Sequence, residues 1–404
     1  MKICIFYSSP LTGWGGGTQV SFRLANLLSE NRHRVTLWCY PVESEARLEN
    51  LTHMDEYDPR YNFEHGKLFK YKIIPVSKIN LTKKTSLIDY TSEDFNNYDL
   101  YIINGIPIRS FLPLALHKIF RKYPCIFRFN SRSILYPCYA SGREQILYYL
   151  YHYFYMPRFI KSSDAVWVLN ETDKIYFRML SKNVYKILNY VDLDLFYPKN
   201  KKDRFTVLFV GRFTYEKGMD TLFKSIHSVN RSNTEIDFIF IGSGAQQYEK
   251  QIDMLKSMYQ NIYWEKPLFG RILADYYATS QITVIPSILE GLPNVALESL
   301  SSGTPVISSA IPGLVDIIVP RKNNFENIHN CTGSFFPVNN SQALSNEIIA
   351  WYNLWKERRH QYERICRNAC NYAIQNLTKT RFLNDIEKMI QEVIQVTTRP
   401  SYTQ

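Results

Sequence analysis

Two carboxylates, Glu290 and Glu298, are separated by seven residues in the stretch Ser287 to Glu298, which reads Ser-Ile-Leu-Glu-Gly-Leu-Pro-Asn-Val-Ala-Leu-Glu. The apolar run Ile282 to Pro286 precedes them and predicts a buried strand. A turn-rich Glu-Gly-Leu-Pro-Asn follows, and then a helical pattern from Val295 to Leu300. Glu290 is thus expected at the carboxyl end of a strand, and Glu298 about one turn past a helix start. In doubly wound sheets that is where ligands sit. The open amides of the helix start suit an anion such as phosphate. Spacing alone also fits an ordinary solvated helix face. A second cluster sharpens the choice: Gly211 to Gly218 (Gly-Arg-Phe-Thr-Tyr-Glu-Lys-Gly) follows another apolar run, Thr206 to Val210. Arg212, Lys217 and nearby helix amides can neutralise a diphosphate without a metal.

The elements that must position these groups are legible in outline. Lys2 to Tyr7 reads as a strand, Gly13 to Gly17 as a glycine-rich turn, Thr18 to Glu30 as a helix with Val20, Leu24, Leu27 and Leu28 on one face, and Arg34 to Cys39 as a second strand. Further strands are expected near 70–75, 100–103, 125–129, 165–169 and 185–188. After the polar break Pro198 to Arg204, strands recur at 206–210, 236–242, 282–286 and 305–309, and 341–397 is almost wholly helical. Alternating strands and helices imply parallel sheets covered on both faces. At 404 residues, two such domains are expected. They span 1–197 and 198–380, with a terminal helical segment at 381–404.

Composition excludes several classes. A hydrophobic content of 45% and a charged content of 21% are those of a globular chain. No apolar run reaches the roughly 18 to 20 residues that span a bilayer, and Met1 leads straight into a strand with no cleavable leader pattern. Seven scattered cysteines, Cys366 and Cys370 among them, form no zinc pattern and read as reduced thiols of a cytoplasmic protein. The net charge is +11, and from Leu100 to Arg143 there are cations (Arg109, Lys118, Arg121, Lys122, Arg128, Arg132 and Arg143) but no acid. Such a field draws phosphates or an anionic membrane surface. No nucleic-acid motif accompanies it, so nucleic acid is not expected as a partner. The Tyr-rich run Ile146 to Tyr155 suits either a membrane interface or a packed helix.

With these flanks, the glutamate stretch closely resembles the retaining nucleotide-sugar glycosyltransferases of the family 4 type, glycosyl transferases group 1. The resemblance implies a GT-B fold: two doubly wound Rossmann-like domains facing across a cleft, the last helix crossing back to the first. It implies transfer of a sugar from a nucleoside-diphosphate donor to an acceptor hydroxyl, with no cofactor and no metal. Carried over residue by residue, it assigns Arg212 and Lys217 to the donor phosphates, Glu290 to the sugar hydroxyls and Glu298 to the ribose. The Asn294 and Val295 amides would hold the departing charge, Gly16 and Gly17 the backbone that approaches the donor phosphate, and Gly242 and Gly244 the turn near base and ribose. A glycan or lipid-linked acceptor is expected, in polysaccharide or glycolipid synthesis at the inner face of the membrane. The chain departs from the pattern in places: Tyr190 stands where relatives have glycine, Trp264 precedes the base loop, and Phe127 to Arg132 lacks the usual first-domain histidine, with Asn130 in its place. A nicotinamide fingerprint fails, because the sixth position from Gly13 is Thr18 and the second strand ends without an acid. A nucleotide-sugar epimerase and a non-catalytic nucleotide-sugar-binding protein stand as alternatives.

Overall fold

A computed structural model describes residues 1–10, 16–40, 72–75, 78–82, 85–88, 98–104, 124–129, 146, 149, 153, 156–321 and 328–398. The chain divides into two compact units, Met1–Leu188 with Phe382–Gln404, and Asn189–Arg381. Residues 189–197 go with the second unit because their contacts lie there: the Val191 amide donates to Leu377 O at 3.0 Å, and Phe196 packs edge-on against Tyr277 at 5.9 Å.

The first unit opens with β1 (Lys2–Pro10), α1 (Gly16–Glu30), β2 (Arg34–Tyr40) and β3 (Lys72–Pro75). A hairpin of β4 (Lys78–Thr82) and β5 (Thr85–Ile88) stands apart from the main sheet. Then come β6 (Leu100–Asn104), β7 (Cys125–Arg128), α2 (Met156–Ser162), β8 (Ala165–Val168), α3 (Glu171–Arg178) and β9 (Val184–Lys186). The seven sheet strands pair in parallel in the order β3-β2-β1-β6-β7-β8-β9. Strands β6, β7 and β8 are buried at every position, as a sheet covered on both faces requires. The Asn170 side chain caps α3 by accepting from the Asp173 amide at 2.8 Å.

The second unit runs β10 (Phe205–Val210), a 3₁₀ turn (Tyr215–Lys217), α4 (Met219–Ser232), β11 (Ile236–Ile241), α5 (Gln246–Met258), β12 (Ile262–Glu265), α6 (Gly270–Thr279), β13 (Ile282–Ile285), α7 (Asn294–Ser301), β14 (Val306–Ser309), β15 (Gly333–Phe336), α8 (Ser341–Glu357) and α9 (Arg359–Asn376). Its six strands, all parallel, order as β12-β11-β10-β13-β14-β15. Strand order reverses between β10 and β13, whose register pairs Val207 with Ile282. A crevice at the carboxyl end of those two strands is thereby dictated by topology.

The last helix, α10 (Lys379–Thr398), returns to the first unit. Phe382, Ile386, Met389, Ile390 and Val393 recur at helical spacing and are all buried. Phe382 packs on Trp167, Glu387 accepts from Asn31 Nδ2 at 2.6 Å, and the Tyr185 hydroxyl donates to Glu392 at 2.5 Å. The fold is therefore α/β, with two doubly wound units.

One expectation from charge needs correction. Arg128 is not part of a surface field: it is wholly buried, its guanidinium 4.2 Å from the Trp167 ring centre and donating to Asn104 Oδ1 at 3.0 Å. Its place on β7 points it into the core. Arg109, Lys118, Arg121, Lys122, Arg132 and Arg143 lie outside the described residues, as does Asn130.

Candidate functional site

The loops leaving β10 and β13 meet at the reversal of strand order in the second unit. Gly218 makes that meeting feasible. It ends the 3₁₀ turn at φ +70°, and a Cβ there would fall 1.9 Å from Pro286 O. Only glycine allows both the left-handed backbone and the approach. The Ile288 amide donates to Glu216 O at 2.8 Å, tying the loops a second time.

This approach brings Lys217 and Glu290 into an ion pair, with side chains 24% and 15% exposed. That shielding makes the pair stronger than a surface one. Ser287 Oγ donates to the same Glu290 oxygen at 3.0 Å and fixes the carboxylate from its own loop. The Ser309 hydroxyl, ending β14, donates in turn to Ser287 O. Arg212 is exposed, and its side chain has no hydrogen bond or ion pair among the described residues. The Thr214 hydroxyl in the same loop is buried without a partner. One paired cation, one free cation and an unused hydroxyl thus line a single strand end.

Glu298 and the start of α7 complete the site. Pro293 occupies the N-cap, and no side chain caps the helix, so the Asn294 and Val295 amides are open to a ligand. The Asn294 side chain accepts from Asn189 Nδ2 at 3.1 Å. Glu298 is buried, 6% exposed, on the side of α7 that meets α6. Beside it, burial and the Glu298 charge push the Tyr277 phenol well above the usual tyrosine range, so it stays protonated.

Gly242 and Gly244 follow β11 and serve first as packing points. The Gly242 amide is used by Glu265 O at 3.0 Å, and the Gly244 amide by Glu249 Oε1 at 3.1 Å. A Cβ on Gly242 would come within 2.0 Å of Gly211 O, so the β10 and β11 loops depend on its absence. Trp264 closes this side, donating from Nε1 to Gly242 O at 3.0 Å and meeting Phe213 edge-on at 5.9 Å. Gly16 and Gly17 belong to the first unit, where they open α1 after β1. Gly13 to Gly15 lie outside the described residues.

Sequence reasoning missed Ser287, Gly218 and Ser309. The first two had a signal: Ser287 sits three residues before Glu290, and Gly218 is the glycine before a helix that starts without a polar cap. Ser309 had none, since its role comes from strand pairing. Among the described residues, no three His, Cys, Asp or Glu side chains converge as a metal site. No described helix is long and apolar enough to cross a membrane.

Comparison with known proteins agrees with this geometry. Residues 194–368 match the family model of glycosyl transferases group 1. The chain spans 26–34% of the length of the first curated relatives it matches, at identities of 27–34%. A longer alignment joins it to the amylovoran biosynthesis glycosyltransferase AmsD of Erwinia amylovora, 23% identical over 73% of this chain and 77% of that one. Among solved structures, the sucrose-phosphate synthase of Thermosynechococcus elongatus superposes with a TM-score of 0.75 at 18% identity, covering 98% of this chain and 99% of its own. HepE of Anabaena, solved with UDP and glucose, gives a TM-score of 0.70 at 15% identity over 97% and 100%. Arg212, Lys217, Glu290 and Glu298 therefore lie within the stretch that resembles glycosyl transferases group 1, in a chain that shares the GT-B fold of these solved structures.

Proposed function

We propose that the protein is a retaining glycosyltransferase of the family 4 type, moving a sugar from a nucleoside diphosphate to an acceptor hydroxyl without a metal. The observation that carries this reading is the free Arg212 beside the Lys217–Glu290 pair, at the carboxyl end of β10 and β13. On donor binding, the Lys217 ammonium turns from Glu290 to the diphosphate, joined by Arg212 and the amides of α7. Negative charge grows on the leaving diphosphate as the bond to the sugar breaks, and these groups stabilise it most at that point. Glu290, released from the ion pair and held by Ser287, accepts from sugar hydroxyls. Glu298 accepts from the ribose. The acceptor attacks from the face that the diphosphate leaves, and a phosphate oxygen takes its proton. Gly16 and Gly17 supply donor-facing backbone, and Gly242 and Gly244 border the base.

The HepE complex with UDP and glucose supports a uridine nucleotide as donor, and the AmsD alignment supports a role in polysaccharide synthesis. The acceptor is a glycan or lipid-linked sugar, met at the cytoplasmic face of a membrane. Exposed Ile146, Tyr149 and Tyr153, the two tyrosines stacked at 5.9 Å, favour that surface. A thermal-shift series with UDP, UDP-glucose and other nucleoside diphosphates tests the donor assignment. A ligand of the folded state raises the melting temperature, and Arg212→Ala should remove at least nine tenths of the affinity. A series in which no nucleoside diphosphate or nucleotide sugar shifts the transition would sink the reading.

A further inference from the structure

The second unit has a cavity away from the donor loops, at the opposite ends of its strands. It occupies about 550 Å³ and lies between the segment that leads into β10, the turn after α7 and one face of α9. That volume is within the roughly 300–1,000 Å³ of small-molecule sites. Lys201 lines it four residues before β10 begins, and Tyr362, another wall residue, donates to Gln281 O just before β13 at 2.8 Å. The cavity therefore sits at the amino ends of the strands whose carboxyl ends carry Arg212 and Glu290.

Its charge is unbalanced. Four cations line it, Lys199, Lys201, Arg359 and Arg367, against the single acid Glu363. Two of the four are already engaged: Lys199 with Asp275 at 2.5 Å, and Arg359 with Glu363 at 3.3 Å. Lys201 and Arg367 have no carboxylate partner among the described residues. The Lys201 ammonium donates to the Thr304 hydroxyl, whose own proton goes to Tyr277 O at 2.6 Å. Its remaining N–H groups have no acceptor among the described residues. Burial without a counter-charge pushes this lysine down to about 8. The Cys366 and Cys370 thiols, one helical turn apart on α9, also border the space, and burial raises both above their ordinary value. They stay protonated and supply no counter-charge. Gly303, at φ +66°, leaves room at the wall, because a Cβ there would press on Pro198 at 3.2 Å.

We infer that this cavity is a binding site for a small phosphate-bearing anion, with Lys201 at its base and Arg367 at its rim. A point charge at depth and a planar fork at the mouth together suit a multiply charged phosphate group. The space exceeds what a bare phosphate fills, so an organic phosphate fits it better than the free ion. Its floor adjoins the donor site: Thr304 touches Tyr277, and Tyr277 lies beside Glu298.

The test uses the full chain, with inorganic phosphate and glycerol 3-phosphate as probes at constant ionic strength. Melting temperature is followed in wild type, Lys201→Met, Arg367→Glu and Arg212→Ala, after circular dichroism has confirmed each fold. Both probes should raise the wild-type transition, and glycerol 3-phosphate should half-saturate at lower concentration if the occupant is organic. The half-saturating concentration should rise tenfold or more in Lys201→Met and Arg367→Glu, and stay within twofold in Arg212→Ala. Arg367 is exposed, so its variant remains informative even if Lys201→Met folds poorly. A shift lost in Arg212→Ala but retained in Arg367→Glu would assign phosphate to the donor loops and overturn the inference. So would the absence of any shift with either probe.

Discussion

The two sheets share a strand order and differ in what they leave at the point of reversal. In the first unit the described polar groups Asn104, Ser21 and Arg128 are spent on one another. Asn104 ends β6 and donates to Ser21 of α1 at 2.6 Å, while accepting from Arg128, which stacks on Trp167. In the second unit Arg212 stays uncommitted, and Lys217 and Glu290 are joined by one exchangeable ion pair. Topology supplies the same crevice twice. Only the residues at the strand ends decide whether a crevice is a structural knot or a binding site.

That contrast can be broken from either side. Glu290→Gln keeps the shape of the side chain but loses its charge toward the reacting sugar. Transfer should fall by about 2–4 kcal/mol of transition-state stabilisation, roughly 30- to 1,000-fold, while the protein stays folded. Near-normal turnover in a folded Glu290→Gln protein would remove the proposed site. Gly218→Ala should act on both stability and binding. Strain at φ +70° and the clash with Pro286 O should cost about 1–3 kcal/mol in denaturant titration, and UDP affinity should fall with it. Arg128→Leu should do the opposite of Glu290→Gln. Leaving Asn104 short of a donor should lower stability by about 2–4 kcal/mol while UDP affinity stays within twofold. If UDP affinity falls tenfold in Arg128→Leu, the first unit's buried cluster is not merely structural. The smallest effect is the one expected from chelation: EDTA should leave turnover unchanged. Loss of activity restored by magnesium or manganese would remove the diphosphate from the care of Arg212 and Lys217.

Where the sequence was legible, chemistry and periodicity coincided. The segment from Ile282 to Leu300 gives a strand, a turn and a helix, and its carboxylates fall where the strand and helix ends put them. Strand β15 was not legible, because Gly333, Ser334 and two phenylalanines make too short a pattern to distinguish from a loop. The β4–β5 hairpin was equally silent, since its residues carry no turn signature as strong as Asn-Gly. Arg128 misled for a physical reason: a count of cations along the chain cannot tell a solvated guanidinium from one stacked on a buried indole. The Lys201 cavity draws on residues from 198 to 371, and no local pattern could assemble it. The Ser287 contact to Glu290 was within reach of sequence, because both lie in one loop.

The return of α10 to the first unit bears on how the chain is made. Residues 189–381 form an uninterrupted unit, whereas the first unit lacks Phe382, Ile386, Met389, Ile390 and Val393 until the whole of that second unit has been made. Domains usually complete their folding in the order in which they leave the ribosome. Here the unit begun second can finish first. Trp167, Asn31 and Tyr185 must wait, still without their α10 partners, for a helix that emerges about two hundred residues after the rest of their unit.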